Sequence, residues 1–433
     1  MRAQPAITLE LQPTPDAGRV LILAPNGSYR TAPFINAAQQ LQTRVTLASH
    51  GQSAVSTATV EGINVDFSAP DRVLATLSAE HARQPFCAVL ATDDTTTEIA
   101  ARVAQALGLP HNEATAVRIA RRKDHARARL HEHGVRAPAF RRIDLTQSLD
   151  TQAAQVNYPC VLKPVAMSAS RGVIRANNSV EFIAACTRIA KILRRDASSD
   201  DERHTVLAED FIAGGEVAVE GLLSQSTLTL LALFDKPDPL DGPFFEETYY
   251  VTPSRLALTV QDDIRGTVEA ACRAYGLREG PIHAECRINE HGAWILEVAP
   301  RTIGGLCGRL LRFGTGMSLE ELVLAHALGR PIDTRLADHA GGVLMIPVPT
   351  HGILRRVEGT LAAQKIDYIE EVTIQMREGV ELVPWPEGSS YLGFIFARAP
   401  TPELAENALR RAHACLRVVA APLWRGTLEN TST

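Results

Sequence analysis

Apolar and polar positions along this chain follow two periods that take turns. Arg19–Ala24 (RVLILA), Arg44–Ala48 (RVTLA) and Phe86–Thr92 (FCAVLAT) are short apolar runs bounded by polar residues, the pattern of buried strands, and Val60–Phe67 is a candidate for a further strand. Between and after them, Ala32–Leu41 and Thr95–Leu107 carry the 3.6-residue spacing of amphipathic helices. Strands alternating with helices predict a parallel, doubly wound α/β unit. Its first turn, Pro25-Asn26-Gly27-Ser28, lacks the three-glycine dinucleotide fingerprint. The unit therefore reads as a scaffold whose loops after the strands are placed to line a substrate pocket. The Pro-containing residues 1–18 read as a loose leader.

Helical spacing resumes from an N-cap at Asn112 through Arg118, and again from Lys123 to about His133, where Gly134 ends it. Tyr158–Lys163 is a short strand that presents Lys163 at its end. The small-residue run Pro164–Val173 follows, with Ser168, Ser170, Arg171 and Gly172. Such a loop folds over phosphates without obstruction, or is simply a turn between two strands. It is not a Walker loop, because the Lys precedes the small residues. Ser179–Lys191 reads as a helix and the polar Arg194–Arg203 as a mobile surface loop. Val206–Ile212, Val217–Leu223 and Leu228–Phe234 are strands. Phe244–Ser254 combines aromatics with Glu246 and Glu247, the composition of a small-ligand wall. Ile264–Tyr275, Leu306–Gly314 and Ser318–Leu328 read as helices. A compact α+β unit closes the chain, with strands at Gly342–Pro347, Ile369–Met376 and Tyr391–Ala397 and a helix at Pro402–Leu416.

One stretch carries chemistry. His283–Ile288 and Ala293–Val298 read as strands joined by Glu290-His291-Gly292, a hairpin whose last loop residue needs positive φ. A turn centred on His291 makes Asn289 face Ala293, Arg287 face Ile295 and Glu285 face Glu297. Like charges facing each other about 5 Å apart repel. A divalent cation reverses the sign, since hard cations are held by one or two carboxylates together with substrate phosphates. Arg301 follows four residues after Glu297, and an Arg fork suits phosphate oxygens. A surface hairpin with two solvated glutamates is the alternative. His283 and Cys286 read as packed strand residues.

Composition narrows the field. A net charge of −5 over 433 residues does not imply a nucleic-acid or anionic-membrane partner. Seven cysteines without a CxxC pair fit reduced thiols in a cytoplasm better than disulfides or zinc. No apolar run approaches the ~20 residues of a membrane span.

Lys163 before a small-residue loop, then Glu209-Asp210-Phe211-Ile212 with Glu216 seven residues after Glu209, then a two-Glu hairpin ending Glu297-Val298-Ala299-Pro300-Arg301 before Gly304-Gly305: this order resembles the ATP-grasp family of carboxylate–amine ligases. Lys123 to Pro138 is similar to that family's entry helix. Gly342–Pro347 and Pro386–Gly393 (PEGSSYLG) resemble the C-terminal domain of bacterial L-amino acid ligases. The resemblance implies an α/β ATP-grasp fold: an N-terminal Rossmann-like domain over 1–110, an ATP-grasp domain over 111–335 divided at 205, and a C-terminal α+β domain over 336–433. It implies ATP and Mg²⁺ (or Mn²⁺) as cofactors, amino acids or amines as substrates, and an amide formed through an acyl phosphate. Lys123, Lys163 and Lys236 would then contact phosphates, and Ser168–Gly172 would be the flap over them. Glu209–Ile212 would read the adenine, Glu216 the ribose, and Glu285 and Glu297 would hold the metal. Arg301 would stabilise the transferred phosphoryl group. Glu247 and Tyr250 would meet the amino-acid substrate, and Gly304-Gly305 would leave room for its side chain. Where many members have Asn, Ala299 stands. The alternatives are a ligase of nucleotide biosynthesis acting on a phosphorylated amine and a regulatory module without chemistry. A homodimer is the default expectation.

Overall fold

The structure is a computed structural model and describes residues 18–51, 60–197 and 199–423. The predicted leader therefore lies almost wholly outside the described residues. The chain forms two compact units, each assembled from separate segments.

The first unit takes the residues up to Phe140 together with Ile212–Asp235 and Pro253–Asp338. Its N-terminal part is a parallel four-stranded sheet in the order Val60–Asn64, Val45–Ser49, Arg19–Leu23, Phe86–Ala91. Every residue of Arg19–Leu23 is buried, as a central parallel strand requires. Helices Thr31–Gln40, Pro70–Arg83 and Asp94–Ala106 accompany it; the second falls in a stretch the periodicity left unread. The strand order runs outward on both sides of Arg19–Leu23, so the carboxyl ends of that strand and of Phe86–Ala91 flank the crevice where such sheets bind ligands. Pro25–Arg30 and Thr92–Asp94 lie at those ends.

The rest of this unit is antiparallel. Strands Gly292–Ala299, Gly280–Asn289, Gly215–Ser224 and Thr227–Lys236 lie in that order. Helix Leu258–Tyr275 packs Ile264, Val268, Ala271 and Cys272 into the core formed with Val217, Val219, Ile282, Ala284, Cys286, Ile295 and Val298. The entry helix, Lys123–Glu132, buries Lys123, Ala126, Arg127 and Leu130, a stripe at helical spacing in which two cations replace apolar residues. Gly134 ends it at φ +67°. The next helix back begins at Ala114 with Glu113 as its cap, not Asn112. Asn112 instead accepts from the amides of Arg278 and Glu279 and donates to the Glu279 carbonyl, closing a loop against the strand start. Leu306–Gly314 forms only a short 3₁₀ turn, Cys307–Leu310. Two glycines in the predicted helical run, at 308 and 314, lower its propensity. Helix Leu319–Ala327 starts with a capping box between Ser318 and Glu321.

The second unit takes Arg141–Phe211, Lys236–Thr252 and the residues from His339 onward. One sheet orders Phe140–Asp144, Thr205–Asp210, Cys160–Pro164 and Ile174–Ala176. Helix Ser179–Asp196 covers it with Phe182, Ala185, Cys186, Ile189 and Leu193. That helix runs five residues past the predicted end, and Asp200–His204 forms another, capped by Ser199. The expected surface loop is thus mostly helix, because Asp and Glu favour a first turn and Arg a last one. A second sheet orders Tyr249–Thr252, Ala340–Ile346, Gly393–Ala399 and Ile369–Ile374, with helix Pro402–Ala414 packed on it. A small sheet of Glu381–Leu382, Gly352–Glu358 and Arg417–Ala421, unread in the sequence, completes the α+β part.

Candidate active site

The glutamate hairpin is tighter at its turn than the sequence implies. Glu290 and His291 alone form the loop, and Gly292 pairs with Asn289. Gly292 sits at φ +102°, a conformation that side chains disfavour, which is why glycine closes this loop. The register near the loop is therefore one residue off the expected one: Ile288 faces Ala293, Arg287 faces Trp294, and Cys286 faces Ile295. Yet Glu285 does face Glu297, because a bulge between Glu285 and Cys286 absorbs one extra residue, Leu296, on the opposite strand. The bulge also decides which way Glu297 points. Ala293 and Ile295 are in the core, so strict alternation would send Glu297 inward. The inserted Leu296 resets the phase: Val298 enters the core and Glu297 joins the face of Glu285.

Around this pair the first unit gathers the other expected groups. The Lys123 ammonium lies 3.3 Å from Glu297. Arg301 is 7% exposed; its Nε donates to Asp94 at 2.8 Å and its Nη1 to the Thr302 carbonyl at 2.9 Å. Burial disfavours the charged guanidinium, but the Asp94 carboxylate more than offsets this, and the group is held firmly cationic. The same pairing holds the Asp94 carboxyl below its ordinary range despite burial. Glu216 accepts from Arg287 Nε at 3.2 Å, and Arg287 Nη1 donates to the Ile212 carbonyl at 3.0 Å. The carbonyl of Ile212, one of the expected adenine-reading groups, is thus engaged by a guanidinium. The room expected above Gly304-Gly305 is already filled: a Cβ on Gly304 would meet the Arg30 guanidinium at 3.0 Å and the Tyr29 hydroxyl at 3.2 Å, and Tyr29 accepts from the Gly305 amide at 3.1 Å. Arg30 is itself set by Asp93 at 2.7 Å. Tyr29, Arg30, Asp93 and Asp94 all come from the carboxyl ends of the parallel strands.

Ala299 brings no donor to this face. Its cross-strand neighbour His283 does: Nδ1 is 2.8 Å from Glu220 and Nε2 is 3.6 Å from Glu285. Glu220 is fully buried and His283 nearly so. Burial alone would depress the imidazole, but hydrogen bonds to Glu220 and Glu285 outweigh it and raise it to about 9. The folded-state value lies above the ordinary 6.5, so this contribution to stability is complete below that pH and is lost as pH rises through about 9. Melting temperature should therefore fall between about pH 6.5 and about pH 10 more steeply for the native chain than for His283→Asn; identical slopes would refute the charged assignment.

In the second unit Lys163 and Glu209 form a buried ion pair at 2.7 Å, diagonal across adjacent strands. The strand carrying Glu209 ends at Asp210, with Phe211 and Ile212 beyond it. Asp210 accepts from Asn157, and the Arg175 guanidinium lies 4.2 Å from the Phe211 ring centroid. Ser168–Gly172 is the connection between Cys160–Pro164 and Ile174–Ala176, the turn between two strands that the sequence offered as the alternative. Ala169 and Ser170 both have positive φ, and a Cβ on Gly172 would lie 2.8 Å from the Pro164 ring. Trp385-Pro386-Glu387 holds this loop: Trp385 Nε1 donates to the Ala169 carbonyl, the Gly172 amide to Pro386, and Arg171 Nε to Glu387. Arg171 also donates to Asp196 at 2.7 Å. Glu387 is in turn gripped by both Nε and Nη2 of Arg188. Lys236 and Tyr250 both contact Glu247, at 2.6 and 2.7 Å.

The groups missed in the sequence were Asp94, Tyr29, Arg287, Arg127 and Trp385. Only Arg127 left a signal: it stands one turn after Lys123 on a helix whose buried stripe it shares. All seven cysteines are free thiols. Among the described residues no helix is long and apolar enough to cross a membrane.

The donor set of Glu285 and Glu297, carboxylate oxygens on one face, suits a hard divalent cation. Residues 35–111 match the ATP-grasp N-terminal domain, 156–309 the ATP-grasp domain, and 344–421 the L-amino acid ligase C-terminal domain 2. An uncharacterised protein, y4rH, of Sinorhizobium fredii is 24% identical over 64% of this chain and 57% of its own length. Carnosine synthase 1 of Gallus gallus is 29% identical over 60% of this chain and 29% of its own length. This chain thus spans less than two thirds of the length of these relatives. The crystal structure of L-amino acid ligase from Bacillus licheniformis superposes with a TM-score of 0.77 at 24% identity, over 93% of this chain and 99% of that one. The chain is an ATP-grasp protein of mixed α/β fold, with the N-terminal, core and L-amino acid ligase-type C-terminal domains in that order.

Proposed function

We propose that this protein is an ATP-dependent carboxylate–amine ligase that joins two amino acids, releasing ADP and phosphate. The observation that carries the reading is the bulged hairpin, which sets two carboxylates on one face beside a buried Lys123. Glu285 and Glu297 would hold a divalent cation, magnesium or manganese, which would supply charge neutralisation at the nucleotide phosphates. Phosphoryl transfer needs positioning and charge more than a protein nucleophile. Lys123 and Lys163 bind phosphate oxygens, and Arg301, its plane fixed by Asp94, faces the transferred group. Glu209–Phe211 and the Ile212 amide lie along the adenine, and Glu216 takes the ribose. Carboxylate attack on the γ-phosphorus gives an acyl phosphate and ADP; amine attack on the acyl carbon then expels phosphate. Glu247, set between Lys236 and Tyr250, orients the amine or takes its proton. The loop Ser168–Gly172 excludes water while the acyl phosphate exists. Tyr29 and Arg30 shape the substrate end at Gly304. The organisation into 1–110, 111–335 and 336–433, a homodimeric state and a cytoplasmic location are part of the same proposal.

Purified protein with ATP and Mg²⁺ should sustain ADP release over many turnovers only when a carboxylate and an amine are both supplied, with one amide formed per ADP by mass spectrometry. If no amino-acid pair stimulates release, the reading fails. Stimulation by phosphorylated amines alone would favour a ligase of nucleotide biosynthesis, and tight ATP binding without release a regulatory module.

A further inference from the structure

Arg127 is 1% exposed and heads the fully buried side chains by volume. Burying a guanidinium is costly unless its hydrogen bonds are met. Its Nη2 donates to the carbonyl of Leu296, at 2.5 Å. Leu296 is the bulge residue, the one position on that strand without a ladder partner. A bulge leaves its extra residue unpaired, and an unpaired buried carbonyl is penalised. The neighbouring edge is secured from the same segment: Arg136 Nε donates to the Ala293 carbonyl, and the Ile295 amide donates to the Arg136 carbonyl. The entry helix and the loop after it therefore act as the missing strand beside Gly292–Ala299. Lys123 stands one turn before Arg127 on the same buried stripe and reaches Glu297.

We propose that Arg127 is a positioning residue that locks the bulge at Leu296, and through it the direction of Glu297. Without the guanidinium, the cheapest repair is to pull Leu296 into the ladder. That one-residue slip turns Glu297 toward the core and Val298 away from it. The helix thus sets the metal-side face twice, by a cation on the carboxylate and by a second cation on the backbone behind it. The inference rests on the reading of Glu297 as a metal ligand for its consequence, but not for its geometry.

The test uses the full-length protein as Arg127→Met, Arg127→Lys, and Arg127→Met combined with deletion of Leu296. Deleting Leu296 removes the bulge while keeping Glu285 opposite Glu297, so the guanidinium is no longer needed. Two readouts separate the steps. Amide exchange of the Gly280–Ala299 hairpin, followed without metal or nucleotide, should accelerate in Arg127→Met and recover in the deletion double variant. Mn²⁺ affinity in the presence of ADP, followed by electron paramagnetic resonance, should weaken about 10–100-fold in Arg127→Met, be partly restored in Arg127→Lys, and recover in the double variant. Unchanged exchange in Arg127→Met, or a double variant no better than the single one, overturns the proposal. Accelerated exchange with unchanged Mn²⁺ affinity would keep the lock and remove Glu297 from the metal site, a failure of the functional reading alone. If Arg127→Met does not fold, the double variant decides: folding supports the lock, and failure to fold overturns it.

Discussion

Glu297→Gln is expected to abolish ADP release in the presence of ATP, Mg²⁺ and any productive pair of amino acids, while the melting temperature stays close to that of the native chain. The substitution keeps shape and hydrogen-bonding capacity and removes one charge. Its partner across the strand, Glu285, is then left as a single carboxylate where the proposed site needs two to hold a cation. Removing one preorganised electrostatic group from such a site costs about 10²–10³ in turnover, and losing a metal ligand belongs at or beyond the upper end. Folding should survive, because Glu297 is partly solvent-exposed and its ion pair with Lys123 is not closed off from water. Glu285→Gln is the matched control and should behave alike. The expectation fails if Glu297→Gln retains more than a tenth of native turnover, or if turnover is lost only because the protein has unfolded. Circular dichroism and ADP release measured on the same sample separate those cases.

The fold was legible where periodicity is strong and local. All four strands of the parallel sheet lie in runs read between Arg19 and Thr92: three are apolar and announce themselves without partners, and the fourth, Val60–Asn64, is a mostly exposed edge strand. The small sheet of Glu381–Leu382, Gly352–Glu358 and Arg417–Ala421 was not legible, since its strands expose charged residues and depend on pairing that joins segments about 65 residues apart. In the hairpin, the facing of Glu285 and Glu297 was reached through a register wrong by one at the turn. A bulge compensated the error, and nothing in Trp294-Ile295-Leu296 marks a bulge. The residues that finish the site were invisible for a related reason. Asp94 meets Arg301 over a separation of 207 positions, and Glu387 meets Arg188 over 199. Ion pairs made by tertiary packing leave no spacing to read. Glu220 and His283 are an intermediate case: each stands on a strand read from the sequence, and their register across Gly215–Ser224 and Gly280–Asn289 places them opposite one another.

Arg301→Met is expected to lower turnover by about 10³–10⁵-fold, the range for an arginine that neutralises a phosphoryl group in flight. The half-saturating ATP concentration should change far less, because the contact matters in the transition state more than in the bound nucleotide. The substitution has a second consequence. Asp94 would lose the guanidinium that holds its carboxyl ionised, leaving a carboxylate without its partner at the end of the parallel sheet. Breaking one side of a pair whose guanidinium is buried and whose carboxylate is half-buried destabilises more than removing both. Arg301→Met should therefore lose melting temperature as well as turnover, and Arg301→Met with Asp94→Asn should regain the former without the latter. Asp94→Asn alone keeps the positive charge but releases the plane of the fork, since the Nε hydrogen bond is weakened while the Thr302 carbonyl still accepts from Nη1. Its turnover should fall between those of the native chain and Arg301→Met. Recovery of turnover along with stability in the double variant would show that Arg301 serves the fold and not the chemistry, and would return the charge-neutralising role to the lysines.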